Sequence, residues 1–175
     1  PDLAVTTATA PAIATRGTTA SYSYTVQNIG TVDSPFVGND GVYLSTDQVF
    51  STNDQLVSEN SNVGVNRLAP GASYTINREF QAPHFYPTGD YYLLFVSDRG
   101  NNQFETDDAN NTFALPFHLN AADLEISSVV VPASAAPDSE VNVSWTLENL
   151  LDGTARGPFY VTAYLSEDNA VGSDQ

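Results

Sequence analysis

A chain that repeats itself has to fold as a string of like units, and this one repeats at an offset of 121 residues. Asp2-Leu3 returns as Asp123-Leu124, Pro11-Ala12 as Pro132-Ala133, and Asn28 as Asn149. Val42-Tyr43-Leu44-Ser45-Thr46-Asp47 returns without a gap as Ala163-Tyr164-Leu165-Ser166-Glu167-Asp168. A one-residue deletion beyond that point aligns Asp54-Gln55 with Asp174-Gln175. The units read as a complete domain over 1–118, a linker over 119–122, and the N-terminal part of a second repeat over 123–175.

The period inside each unit is two. Ala20, Tyr22, Tyr24 and Val26 alternate with Ser21, Ser23, Thr25 and Gln27, which buries one face of a strand. The second unit repeats the alternation with Val141, Val143, Trp145 and Leu147 against Asn142, Ser144, Thr146 and Glu148. Further strands are predicted over 2–7, 41–46, 73–81, 91–96 and 112–117, with a weaker one over 55–58. Turn signals separate them, among them Asn28-Ile29-Gly30, Pro70-Gly71 and Arg99-Gly100-Asn101-Asn102. No apolar stripe of helical period is long enough for a helix. The predicted fold class is all-β, an immunoglobulin-like β-sandwich in tandem repeats with the second incomplete. Gly89-Asp90-Tyr91 resembles a tyrosine corner, in which the hydroxyl bonds back to the backbone; the other reading of Tyr91 is one more core aromatic.

Composition removes whole classes of function. There are 21 acidic residues and five basic ones, all arginine, giving a formal charge of −16 that repels nucleic-acid backbones and anionic membrane surfaces. The absence of cysteine removes disulfides, thiol nucleophiles and soft-metal sites, and the absence of lysine removes Schiff-base chemistry. No run approaches the roughly 20 apolar residues of a spanning helix, so membrane insertion is not expected. No leader with a charged start and an apolar run is visible, and the chain opens on Pro1-Asp2, as an excerpt or a processed protein does. No nucleophile–base pair or cofactor motif stands out, so the chain reads as a non-enzyme that requires no cofactor.

The ordered segments resemble the CARDB family, the cell-adhesion-related domain found in bacteria. They are Asp2-Leu3, Tyr24-Thr25-Val26-Gln27-Asn28-Ile29-Gly30-Thr31, Val42-Tyr43-Leu44-Ser45-Thr46-Asp47 and Leu68-Ala69-Pro70-Gly71, then Gly89-Asp90-Tyr91-Tyr92-Leu93 and Glu105-Thr106-Asp107-Asp108-Ala109-Asn110-Asn111. In the second unit Leu150-Leu151-Asp152 replaces the Ile29-Gly30-Thr31 turn. The resemblance implies an immunoglobulin-like module in tandem in large secreted or surface proteins, with a role in adhesion or spacing and no catalytic residues.

Two loops concentrate acidic residues and are the candidate calcium sites: Asp47 with Asp54, and Asp98, Glu105, Asp107 and Asp108. Calcium takes six to eight oxygen ligands, which carboxylates and asparagine carbonyls supply. Asp47 and Asp54 recur as Asp168 and Asp174. The competing reading is solvated turn residues, favoured by the lack of an Asp-x-Asp-x-Asp-Gly loop. His84 and His118 are too few for a zinc site and read as surface residues. Trp145, equivalent to Tyr24, reads as core, while Phe85 and Tyr86 read as packing over the sandwich end or as a binding surface.

These readings converge on a non-enzymatic extracellular module, secreted or cell-surface, acting in adhesion, spacing or fibre assembly. The alternative is a carbohydrate-binding accessory module of a secreted hydrolase. Expected partners are neighbouring repeats or other copies of the same protein, through strand complementation or a fibre, and a surface or glycan ligand. The second unit lacks counterparts of 73–81, 91–96 and 112–117, so its apolar face has no facing sheet. Either the sequence is an excerpt, which the break inside a loop favours, or another chain completes the sandwich.

Overall fold

The computed structural model describes residues 1–35, 39–61 and 67–167. Ten strands form: β1 Leu3–Thr9, β2 Ile13–Thr15, β3 Thr19–Asn28, β4 Asn39–Ser45, β5 Gln55–Ser61, β6 Ser73–Gln81, β7 Gly89–Val96, β8 Thr112–Asn120, β9 Leu124–Val130 and β10 Ser144–Asn149. The first eight make two sheets, ordered β1-β3-β6 and β2-β8-β7-β4-β5. All pairings are antiparallel except β2 on β8. This is the predicted immunoglobulin-like sandwich.

The alternation in β3 is what closes it. Ala20, Tyr22, Tyr24, Val26 and Asn28 are buried, and the residues between them are half-buried or exposed. From the facing sheet Val42, Leu44, Leu93, Phe95, Phe117 and Leu119 enter the same core. Phe95 sits 5.6 Å from Tyr24 and 5.8 Å from Tyr22, ring centre to ring centre, in tilted contacts that favour aromatic pairs. β4 and β7 are buried on their outer face too, where Tyr43, Leu94 and Val96 are covered by Phe50, Leu56, Tyr92 and Ala114. That double burial explains why both read as continuous apolar runs rather than alternating ones. The tyrosine corner forms as predicted, the Tyr91 hydroxyl donating to the Pro87 carbonyl at 3.1 Å.

Several boundaries differ from the sequence reading. β2 is new, a three-residue parallel partner of β8 with too little sequence to carry a period. β8 runs through Asn120, two residues into the expected linker, and Leu119 is fully buried. The weak strand at 55 extends to Ser61 because β4 pairs along it.

Among its described residues the second unit builds only the β9–β10 pair, yet its register repeats the first. Leu3 pairs with Asn28 and Leu124 with Asn149; Val5 pairs with Val26 and Ile126 with Leu147; the bulge falls at the same step. Residues 161–166 form no strand, although their counterparts 40–45 in the first unit do; β4 there is held between β5 and β7, and among the described residues no strand pairs beside 161–166. Trp145 is therefore not core but 42 % exposed, alongside exposed Ile126, Val129 and Leu147. An isolated two-stranded sheet is marginal in water. Hydrogen exchange on the monomer should show the amides of β9 and β10 exchanging orders of magnitude faster than those of β3 and β7. A monodisperse monomer protected equally throughout would contradict this.

Candidate functional site

The richest polar cluster sits where the start of β4 meets the loop after β7. Asp40 is fully buried between the sheets. One carboxylate oxygen accepts the hydroxyls of Tyr74 (2.7 Å) and Tyr24 (3.1 Å), and the other accepts the backbone N–H of Asp98 (3.3 Å). Burial pushes the Asp40 carboxyl from the ordinary 3.8 up to about 6, against the pull of these three hydrogen bonds. Burial and the Asp40 charge together push the Tyr24 and Tyr74 hydroxyls well above the ordinary phenol value.

The following loop is closed by its own acids. Asp98 and Asn101 adopt left-handed backbone, at φ of 40° and 46°, which Asp and Asn tolerate better than most residues. The Asp98 carboxylate accepts the N–H groups of Asn102 (3.1 Å) and Gln103 (2.8 Å). Glu105 reaches back to the first strand, accepting the Leu3 N–H at 2.7 Å and the Asn111 side-chain amide at 2.6 Å. Burial raises its carboxyl, opposed by these same two bonds. Asp107 caps Ala109 at 2.9 Å, and Asp2 accepts the Asn110 amide at 2.8 Å. Asp108 lies at the surface, 3.5 Å from the Asn101 amide. The carbonyl oxygens of Asn110 and Asn111 are buried without a hydrogen-bond partner among the described residues.

Asp47 and Asp54 lie elsewhere. Ser45 pairs with Tyr92 and Gly41 with Val96, so the loop after β4 leaves at one end of the sheet and the loop after β7 at the other. The two acidic loops therefore cannot share an ion. Asp47 accepts the Val49 N–H at 2.8 Å and Asp54 the Ser51 N–H at 2.6 Å, both local turn bonds. Among the described residues no three acidic or histidine side chains are grouped to hold a metal. The repeated positions Asp168 and Asp174 lie outside the described residues.

The family model of CARDB matches residues 1–115. This chain belongs to the CARDB family. Its fold is similar to that of the CARDB domain of PF1109 from Pyrococcus furiosus in solution, with a TM-score of 0.50 at 20% identity, covering 67% of this chain and 94% of that one. A crystal structure of the same Pyrococcus domain, in complex with di-metal ions, gives 0.50 at 20% identity over 68% of this chain and 88% of that one. None of the curated proteins matches the chain. CARDB is a non-catalytic domain family.

In this CARDB domain the residue that most shapes the sandwich end is Asn28, which the sequence shows as a repeated position and the start of a turn signal. Its carbonyl accepts the Asp2 and Gly30 N–H groups, both at 3.1 Å, and its amide donates to the Val32 and Leu68 carbonyls at 2.8 and 2.9 Å. The signal that could have exposed its role was the return of the same residue at Asn149. Asp40 escapes the sequence reading, since it stands one residue before the strand predicted over 41–46; the signal for it is a lone acid at the edge of the apolar Val42-Tyr43-Leu44. His118 pairs with Asp90 directly across β7 and β8 at 2.6 Å on the surface. The His84 ring lies tilted against Phe85, centres 3.7 Å apart, with Phe85 87 % exposed, while Tyr86 packs against the core beside Tyr91.

Proposed function

We infer that this CARDB chain is a non-enzymatic extracellular module of a bacterial surface or secreted protein, and that it acts in adhesion and spacing. The observation that carries the reading is the recurrence of one hydrogen-bond set at the start of each unit. Asp123 N–H donates to Asn149 as Asp2 does to Asn28; Leu150 N–H donates to Asp123 as Ile29 does to Asp2; Asn149 donates to Gly153 as Asn28 does to Val32. A start so closely reproduced is what a chain of stacked modules needs. The test is X-ray scattering on polypeptides carrying one, two and three complete units. The maximum dimension should grow by the same increment with each unit, and units that collapse onto each other would refute the spacer.

The unpaired apolar face of β9–β10 supports completion by further strands, from a continuing chain or from another copy. Size-exclusion chromatography separates these: strand donation gives concentration-dependent oligomers of the 175-residue chain, and a continuing chain does not. The rival reading, a carbohydrate-binding accessory module of a secreted hydrolase, is favoured by exposed aromatics such as Phe85 and by Phe159, which borders a crevice beside His84. A glycan array tests it.

Calcium belongs with the adhesive reading, and the Pyrococcus domain in complex with di-metal ions makes the question concrete. In support stand Glu105 and Asp2 beside the two partnerless asparagine carbonyls, an all-oxygen donor set that suits a hard cation. The Asp47/Asp54 loop has less to offer, since its carboxylates already cap their own backbone. Millimolar calcium should raise the Tm relative to EDTA, with Asp108→Asn reducing the gain and Asp47→Asn leaving it. Superimposable melting curves in calcium and EDTA would end the idea.

A further inference from the structure

In a chain of charge −16, cationic groups without acidic partners call for a reason. Arg67 pairs with Asp33 and Arg99 with Glu59. Arg16, Arg78 and Arg156 have no ion pair among the described residues; Arg78 stands exposed on β6, whereas Arg16 and Arg156 come together and line one crevice of about 480 Å3 with His84. Among the described residues no acidic side chain lines that crevice; Asp152 lines an adjoining groove that shares Thr154 and Arg156 with it. We propose that this crevice, between the β2–β3 turn and residues 153–159, binds the carboxylate of an acidic sugar.

The walls are held by backbone. The Arg16 N–H donates to Asn120 at 2.8 Å, and the Gly17 N–H to Ala82 at 2.8 Å, with Gly17 at a φ of 74° that a side chain rarely adopts. Across the crevice the Gly153 N–H donates to Ala121 at 3.1 Å, and the Thr154 N–H to the Thr15 hydroxyl at 3.3 Å. A Cβ at Gly153 would lie 2.3 Å from the Ala121 carbonyl, so the walls meet there only because residue 153 is glycine.

The chemistry of the lining selects the ligand. One terminal nitrogen of Arg16 is spent on the Tyr86 carbonyl at 3.2 Å, which orients the guanidinium and leaves its other N–H groups for a ligand. A planar guanidinium fork matches a carboxylate in two-point contact. The surrounding negative field repels anions in general, so capture depends on these local forks rather than on steering. Thr15 and Thr154 offer hydroxyls to sugar hydroxyls, and the half-exposed Phe159 ring offers a face to a pyranose, with the His84 ring also in the lining. The volume falls in the range of small-ligand sites, roughly 300–1,000 Å3. Arg16 aligns with Pro137 and Arg156 with Pro35 at the 121-residue offset, so the site belongs to the joint and not to each module.

The proposal deepens the adhesive reading and rests on it, but its failure would leave the spacer test untouched. The probe is trigalacturonate, titrated by calorimetry into the 175-residue chain at low salt, against its neutral methyl ester. The acid should bind about tenfold or more tightly than the ester, with a loss of about tenfold in each of Arg16→Ala and Arg156→Ala. Gly153→Val should weaken binding similarly while leaving the melting of the first sandwich unchanged. Equal affinity for acid and ester, retention of affinity in both arginine variants, or no binding at millimolar ligand would each overturn the proposal. Triglutamate binding as tightly as trigalacturonate would overturn the assignment to a sugar.

Discussion

Replacing Asn28 by alanine should destabilise the first sandwich by about 3–4 kcal/mol, lowering its Tm by roughly 10–15 °C. The side chain is fully buried and satisfies four backbone groups: the Asp2 and Gly30 N–H groups and the Val32 and Leu68 carbonyls. Alanine removes all four bonds: the Leu68 carbonyl lies in the buried interior and keeps the Ser34 N–H, and the other three groups lie at a partly buried rim, where water replaces the lost bonds only in part. Asn149→Ala is the internal control. Its side chain serves the equivalent groups of the second unit, so the main melting transition should stay where it is. Calorimetry of both variants decides the matter; equal shifts, or a shift under 1 °C for Asn28→Ala, would show that these bonds do not hold the sandwich end.

The second large effect is expected from Asp40. Its folded value of about 6 lies above the ordinary 3.8, so between these two values the native state binds more protons than the unfolded chain. Stability therefore falls as pH rises through this window, and the charged, buried carboxylate costs up to about 3 kcal/mol at pH 7.5. The neutral, isosteric Asp40→Asn is expected to gain on the native chain at pH 7.5 by a gap of up to about that figure, less a pH-independent loss because its amide N–H faces the Asp98 N–H where the carboxylate accepts it. The gap should narrow as pH falls from 7 to about 4. The comparison at each pH cancels the general relief of self-repulsion that acidification brings to so acidic a chain. A gap that stays constant with pH would show that Asp40 does not titrate there.

The elements written in local alternation were legible without coordinates. β3 and β6 follow from side chains two residues apart, and the seven main strands and their sandwich class follow from spacing and turns. The repeat also lies in the sequence itself, and the strand register then reproduces it. What the tertiary structure decided is everything that depends on which distant segments meet. Antiparallel pairing of β4 with β7 sends the two acidic loops to opposite ends, which no count of acidic residues within either loop could reveal. The same pairing brings Asp98 to Asp40, and the facing sheet delivers Tyr24 and Tyr74, from 16 and 34 residues away. Trp145 carries the same pattern as Tyr24 yet stands in solvent, because a buried face exists only where a second sheet covers it. Arg16 and Arg156, 140 positions apart, share a crevice because Gly153 lets two backbones touch. Periodicity is a property of one segment and is written along it; burial, charge environment and sites are properties of pairs of segments, and only folding chooses the pairs.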